Sequence, residues 1–286
     1  MYFDMVYVSM IFDTNQDKVK ITGCENIDIG GIGSIFPTKV LPREIDSLTP
    51  WYFPNEDTSY GYVTRGCIRN CYFCKVPKYE GKVRFYCPIE DIIKHDRVIL
   101  YDNNILAYSG HKDILRFLVE KKVKVRFKAG LDFRLLDDEN AELLSKLKYD
   151  GSYEFAFDDI SYLSMWESKI GLVKKWFPKK WKVTIFVYFN AHDDVHDLIF
   201  RCKWIKDHEC LPYVMRDRNC YDIENKNLRS FVIDWTAYCN QPKIFKNVDF
   251  DYFLGIYYKN EKRHQSTMRI FKENWNGDFR CFHGLI

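Results

Sequence analysis

Three cysteines, Cys67, Cys71 and Cys74, fall in a C-x3-C-x2-C spacing, with Phe73 immediately before the last of them. Soft thiolates at such short intervals suit an iron–sulfur cluster or zinc. Three closely spaced thiols can hold three irons of a [4Fe-4S] cube and leave the fourth without a protein ligand. Zinc is the simpler occupant, but a structural zinc site needs a fourth ligand and usually a second ligand pair. Cys87 and His95 lie nearby, and neither has a partner at that spacing. An open-cornered cube and zinc are the two chemistries this trio offers.

The residues before the trio, Tyr60 to Arg65, alternate small or polar with apolar side chains and read as a strand. The thiols then lie in a loop leaving a strand's carboxyl end, where α/β proteins place their sites. The segment Thr64-Arg65-Gly66-Cys67, then Cys71-Tyr72-Phe73-Cys74-Lys75-Val76-Pro77 and Glu80-Gly81, resembles the cluster loop of the radical S-adenosylmethionine superfamily. It is most similar to the branch whose members often carry an N-terminal cobalamin-binding domain.

Composition frames this reading. The chain has 286 residues, 47% apolar and 17% aromatic, enough for a large core in one or two domains. Its formal net charge of +3 gives little reason to expect nucleic acid. The ten cysteines are too scattered for a secreted disulfide framework. Cys24, Cys202, Cys210, Cys220, Cys239 and Cys281 are expected to be free thiols, mostly buried. No basic leader precedes the first apolar run, which Asp4 interrupts. No apolar run reaches the roughly 18 residues of a membrane-crossing helix. A soluble protein of a reducing compartment, the cytoplasm, is expected.

Residues 1–58 are the least transparent. Met5–Phe12 reads as a buried strand, and Ile27–Gly33 as a second one ending in a glycine turn at Gly30, Gly31 and Gly33. That turn lacks the Lys and the helix of a phosphate loop. It resembles the turn closing the cobalamin domain of relatives, but 58 residues are about half of such a domain. No D-x-H-x-x-G motif is present either, so cobalamin is not expected.

From Tyr60 onward strands and helices alternate. Helices are expected from Pro88, over 113–119, from Asp137, near 161–176, near 194–206 and over 228–238. Strands are expected over 97–101, 123–129, 153–157, 183–189 and 211–215. Such alternation predicts a parallel sheet with right-handed crossovers. Six βα steps suit the partial (β/α)6 TIM-like barrel that the resemblance implies, over residues 59–245, with 246–286 as a capping extension. In the strand after Lys122, Val123, Val125 and Phe127 alternate with Lys124, Arg126 and Lys128. Its successor alternates Tyr153, Phe155 and Phe157 with Glu154, Ala156 and Asp158. The apolar sets should face helices, and the charged sets a polar interior.

The resemblance also implies a mechanism. S-adenosylmethionine chelates the open iron by its amine and carboxylate, and one electron cleaves it to methionine and a 5′-deoxyadenosyl radical that abstracts hydrogen from substrate. Cluster potentials span about −700 to +450 mV, and this reaction needs the low end. An external reductase of the flavodoxin or ferredoxin type is thus implied as partner. Cys67, Cys71 and Cys74 are the implied cluster ligands, with the backbone at Tyr72 and Phe73 against the adenine. Asp102, Asn103 and Asn104 end a strand where relatives bind the methionyl ammonium, although the usual Gly-Gly-Glu is missing. Arg134 is placed to pair with the methionyl carboxylate, and Asp132 to hold Arg134 or touch substrate. Asp158 is the implied ribose partner, while Asp159 or Asp158 could instead cap the following helix. Asn190 and Arg216 close the last two strands and complete the candidate set.

Two features read as surface. Lys174 to Lys182 interleaves five lysines with three aromatics, as a nucleic-acid surface would, but it sits at a helix end that lysines favour. His192, Asp193 and His196 lack a third metal ligand. Two other functions fit parts of the chain. One is a methylthiotransferase acting on tRNA, which needs an N-terminal Cys triad and an RNA-binding module not evident here. The other is a non-enzymatic zinc or iron–sulfur module that binds nucleic acid.

Overall fold

The structure, a computed structural model, describes residues 2–10, 18–30, 42–46, 57–257 and 260–275. It divides into two compact units, 1–129 and 130–286, a boundary that falls within the region expected to be one barrel. Both units are α/β, with parallel sheets. Among the described residues no helix is long and apolar enough to cross a membrane.

The first unit opens with β1 (Val6–Ser9) paired parallel to β2 (Ile27–Gly30). Met5 and Met10 fall outside β1, and Ile11, Phe12 and Gly31 to Gly33 of the two expected runs lie outside the described residues. After helix α1 (Arg43–Asp46) comes a three-stranded parallel sheet. It consists of β3 (Thr58–Gly61), β6 (Arg97–Leu100) and β7 (Lys124–Phe127), in the order β3-β6-β7. Between β3 and β6 run β4 (Thr64–Arg65), α2 (Val76–Tyr79), β5 (Arg84–Phe85) and α3 (Ile89–Ile92). Helix α4 (His111–Lys121) joins β6 to β7. Val98, Leu100, Val125 and Phe127 are almost wholly buried, while Lys124 and Arg126 are half-buried, so the expected alternation holds in β7.

The expected single strand over 60–65 is broken in two. β3 stops at Gly61, and Thr64–Arg65 pairs antiparallel with Arg84–Phe85 instead. The cause is remote in sequence. The Asp102 carboxylate, at the end of β6, accepts from Val63 N at 3.2 Å, Thr64 N at 2.5 Å and Thr64 Oγ1 at 2.6 Å. These amides are thereby withdrawn from the parallel ladder and turned toward a side chain.

The second unit holds β8 (Tyr153–Ala156), β9 (Val183–Phe189) and β10 (Leu211–Arg216), parallel in the order β10-β9-β8. Helices α5 (Asp138–Lys146), α6 (Leu163–Trp176), α7 (Val195–Asp207) and α8 (Lys226–Cys239) alternate with them. Asp137 caps α5 by accepting from Asn140 N at 2.7 Å, as its position before the apolar repeat predicts. Phe155 and Phe157 face the helices: Phe157 lies 5.6 Å from Trp166 of α6 and 5.7 Å from Trp204 of α7. Trp166 stacks on Phe133 at 3.5 Å.

Three further helices follow, α9 (Pro242–Asn247), α10 (Phe250–Tyr257) and α11 (Glu261–Asn274). Helices α10 and α11 pack on α8 through Trp235, which meets Phe250 at 5.0 Å and Phe271 at 5.5 Å, and α9 packs on it through Phe245, 5.2 Å from Tyr238. The buried Asp234 of α8 accepts from Arg263 Nε and Thr267 Oγ1 of α11 at 3.2 and 3.0 Å. The hydrogen-bonded ladders make two three-stranded parallel sheets and no closed barrel among the described residues.

Candidate functional site

The thiol loop begins where β4 ends. Gly66 has φ +85°, and a Cβ there would lie 2.3 Å from the Lys82 carbonyl oxygen and 2.7 Å from that of Gly81. Only glycine meets both demands, a left-handed backbone and direct contact with another strand of main chain. The base of the loop is clasped several times. Cys67 N donates to Gly81 O at 3.0 Å, and Gly66 N to Glu80 Oε2 at 3.2 Å. Arg65 pairs with the same Glu80 oxygen at 3.0 Å and lies 3.9 Å from the centre of the Tyr62 ring. Within the loop, Cys74 N donates to Cys71 O at 2.9 Å. Glu80 and Thr64 belong to the segment that carries the resemblance, but no local spacing reveals their partners, Arg65 and Gly66 for Glu80 and Asp102 for Thr64.

Cys67, Cys71 and Cys74 are all half-buried. Cys67 Sγ accepts from Arg69 N at 3.3 Å and from Asn104 Nδ2 at 3.4 Å. N–H groups around a sulfur ligand orient it and tune a bound metal. Among the described residues no three His, Cys, Asp or Glu side chains gather closely enough to hold one metal ion. A four-iron cube takes one thiolate at each corner that the protein holds. The donor set, three thiols with N–H groups on one of them, suits such a sulfur-rich group.

The three residues that end β6 take different roles. Asp102 is 1% exposed and engaged by Val63 and Thr64. Burial raises its pKa, against the pull of these donors. Asn104 is buried and reaches the Cys67 sulfur, and Asn103 is half-buried beside it. Asp102 therefore positions the chain leading into the loop, and Asn104 meets the loop itself. Tyr72 is 69% exposed and packs edge-on against Phe73 at 5.2 Å.

The remaining candidates lie in the second unit. Asp132 accepts from Arg134 Nε at 2.7 Å and from Arg134 N at 3.2 Å. The Arg134 guanidinium also lies 5.1 Å from the centre of the Tyr162 ring. Asp159 caps the turn that follows by accepting from Ser161 N at 2.8 Å, which leaves Asp158 to turn back to the sheet. Asp158 accepts from Tyr188 N at 3.1 Å. Nearby, Arg201, 2% exposed in mid-helix, donates to Phe157 O at 2.9 Å and Tyr188 O at 3.1 Å. Arg201 was not singled out from the sequence, where its place in α7 gives no sign of burial.

Asn190 is taken up locally: its Nδ2 donates to Asp193 Oδ1 at 2.7 Å, and its Oδ1 accepts from His192 N at 2.8 Å. The spacing Asn-x-x-Asp is the signal for such a turn. Arg216 is half-buried over Tyr221, 5.3 Å from the ring centre. Cys202, Cys210, Cys220 and Cys239 are buried free thiols, and Cys24 is half-buried; Cys281 lies outside the described residues.

Desolvation by burial pushes the Asp158 carboxyl up to about 6, despite Tyr188 N, Arg201 and Arg134. The folded chain thus holds this proton more tightly than the unfolded one does. Stability falls as pH rises from about 4 to about 6 and is flat above, at a total cost of about 2 kcal/mol allowing for partial exposure. Asp158→Asn, which keeps the acceptor for Tyr188 N, is expected to be about 2 kcal/mol more stable than the parent at pH 8. Urea unfolding at pH 8 and pH 4 should show the difference vanish at pH 4; a pH-independent difference would contradict this.

Compared with known proteins, the chain matches no family model and no characterised protein in sequence.

Proposed function

We propose that this chain is a radical S-adenosylmethionine enzyme. Its scaffold is a partial (β/α)6 barrel, and each of its two sheets has the sequential parallel order that such a barrel requires. The reading rests above all on one contact. Asn104, at the end of β6, donates to the sulfur of Cys67 in the thiol loop, so two segments singled out separately in the sequence meet. A cluster held there supplies one-electron cleavage of the S-adenosylmethionine sulfonium bond.

The chain's own share is placement and electrostatics. Cys67, Cys71 and Cys74 are the ligands. Asn104 and the amide of Arg69 direct N–H groups at the Cys67 sulfur and so orient it as a ligand. The Asn103 and Asn104 amides are the candidates to accept from the methionyl ammonium, and the backbone at Tyr72 and Phe73 to meet adenine. In the second unit Arg134, steadied by Asp132, is the candidate for the methionyl carboxylate and Asp158 for a ribose hydroxyl. Asn190 and Arg216 are less well placed, since Asn190 is committed to its own turn. An external reductase and a reducing interior such as the cytoplasm complete the reading.

The test is anaerobic reconstitution with iron and sulfide, then dithionite and S-adenosylmethionine, with chromatography for 5′-deoxyadenosine. Formation of that product is expected. Its absence from a preparation with an intact four-iron cluster overturns the reading. Cys71→Ala is expected to lose the brown chromophore and most bound iron; full retention of both excludes Cys71 as a ligand.

A further inference from the structure

A cavity of about 250 Å3 opens between the end of α6, the turn 177–182 and the turn 208–210. Lys174, Lys179, Lys180, Lys182 and His208 line it, with Glu209 as the one carboxylate. Beneath them lie Phe177 and Cys210, both buried. Lys174, Lys179 and Lys180 are exposed, as expected of a solvated helix end, and the fold gathers them around a hollow.

Glu209 engages Lys180, and Lys182 donates to the Gly151 carbonyl. Lys174 and Lys179 are exposed and have no carboxylate partner among the described residues. The Lys182 ammonium is held below the ordinary lysine range, first by burial and then by repulsion from Lys179. The backbone is unusual here as well. Among the described residues, two of the three non-glycine residues with positive φ, Trp181 at 62° and Glu209 at 59°, flank the cavity, and Trp181 N donates to Glu209 O at 2.8 Å. Such conformations persist where surrounding structure enforces them, and they concentrate at binding sites.

Helix dipoles account for part of this charge. The carboxyl ends of α6 and α7 each carry about half a negative charge, which together with Glu209 offsets roughly two of the four lysines. The rest is in excess. A hollow below the roughly 300 Å3 of an ordinary small-molecule pocket accepts one compact group, and the charge selects a dianion or an ester of one. We infer that this cavity binds a phosphate oxyanion, carried either by a small phosphate ester or by a polynucleotide strand. The inference is independent of the proposed radical chemistry.

The full chain and the double variant Lys174→Glu/Lys179→Glu distinguish these sources. Calorimetric titration with inorganic phosphate reports the first. Anisotropy of a labelled single-stranded RNA ten-mer, with phosphate as competitor, reports the second. Binding of at least one probe is expected, weakened by about tenfold or more in the variant with an unchanged melting temperature. If the strand is the source, the salt dependence of its binding should shallow by about 1.4 in log–log slope, for two lost contacts at roughly 0.7 each. Failure of both probes at millimolar concentration, or equal affinity in the variant, overturns the assignment.

Discussion

Replacing Gly66 by alanine is expected to cost the thiol loop about 3 kcal/mol or more and to abolish cluster loading. Two separate demands meet at this residue. Its φ of +85° alone costs a side chain about 1–2 kcal/mol. The added Cβ would further overlap the Lys82 and Gly81 carbonyl oxygens at 2.3 and 2.7 Å, and neither is a flexible side-chain tip that can swing away. Gly81 is the matching control. Its φ is +73°, yet a Cβ there meets nothing within 4 Å, so Gly81→Ala should cost only the conformational part. Iron content after anaerobic reconstitution and chemical unfolding of both variants check this. Equal effects of the two substitutions would show that steric overlap at Gly66 has been misread.

Asp102→Ala should rank beside it, at roughly 3–5 kcal/mol. The carboxylate satisfies two main-chain amides and a hydroxyl at Val63 and Thr64, both almost wholly buried. Each orphaned donor costs about 1–3 kcal/mol. Asp102→Asn retains one acceptor oxygen but turns an N–H₂ group toward a remaining donor, so about half the loss is expected. Urea unfolding of the two variants provides the measure, and an alanine variant within 1 kcal/mol of the parent would falsify the account.

The regular elements were legible because local signals agree with the fold. Asp137 ahead of an apolar repeat announced α5, and alternating Val125 and Phe127 announced β7. The steadying of Arg134 by Asp132 was also within reach, since the two lie two residues apart. Contacts that bridge long stretches of sequence were not. Nothing near Val63 and Thr64 tells that Asp102, 38 residues beyond Thr64, takes their amides, and the strand expected over 60–65 breaks for that reason. Nor does a list of three polar residues after β6 say which is buried for structure and which reaches a sulfur. The lysines of 174–182 are a third case: Lys174, Lys175, Lys179 and Lys180 are exposed, as a helix end predicts. Their spacing resembles any solvated helix end, and the hollow appears only when the turn at 208–210 is brought opposite.

The clasp at the foot of the thiol loop is built from Arg65, Gly66, Cys67, Glu80 and Gly81 without spending a single cysteine sulfur. A ring fastened in this way keeps its outline whether or not its contents are in place. On the proposed function, inorganic parts lost to air would be restored to a chain that is already shaped, and assembly would be a matter of refilling rather than refolding.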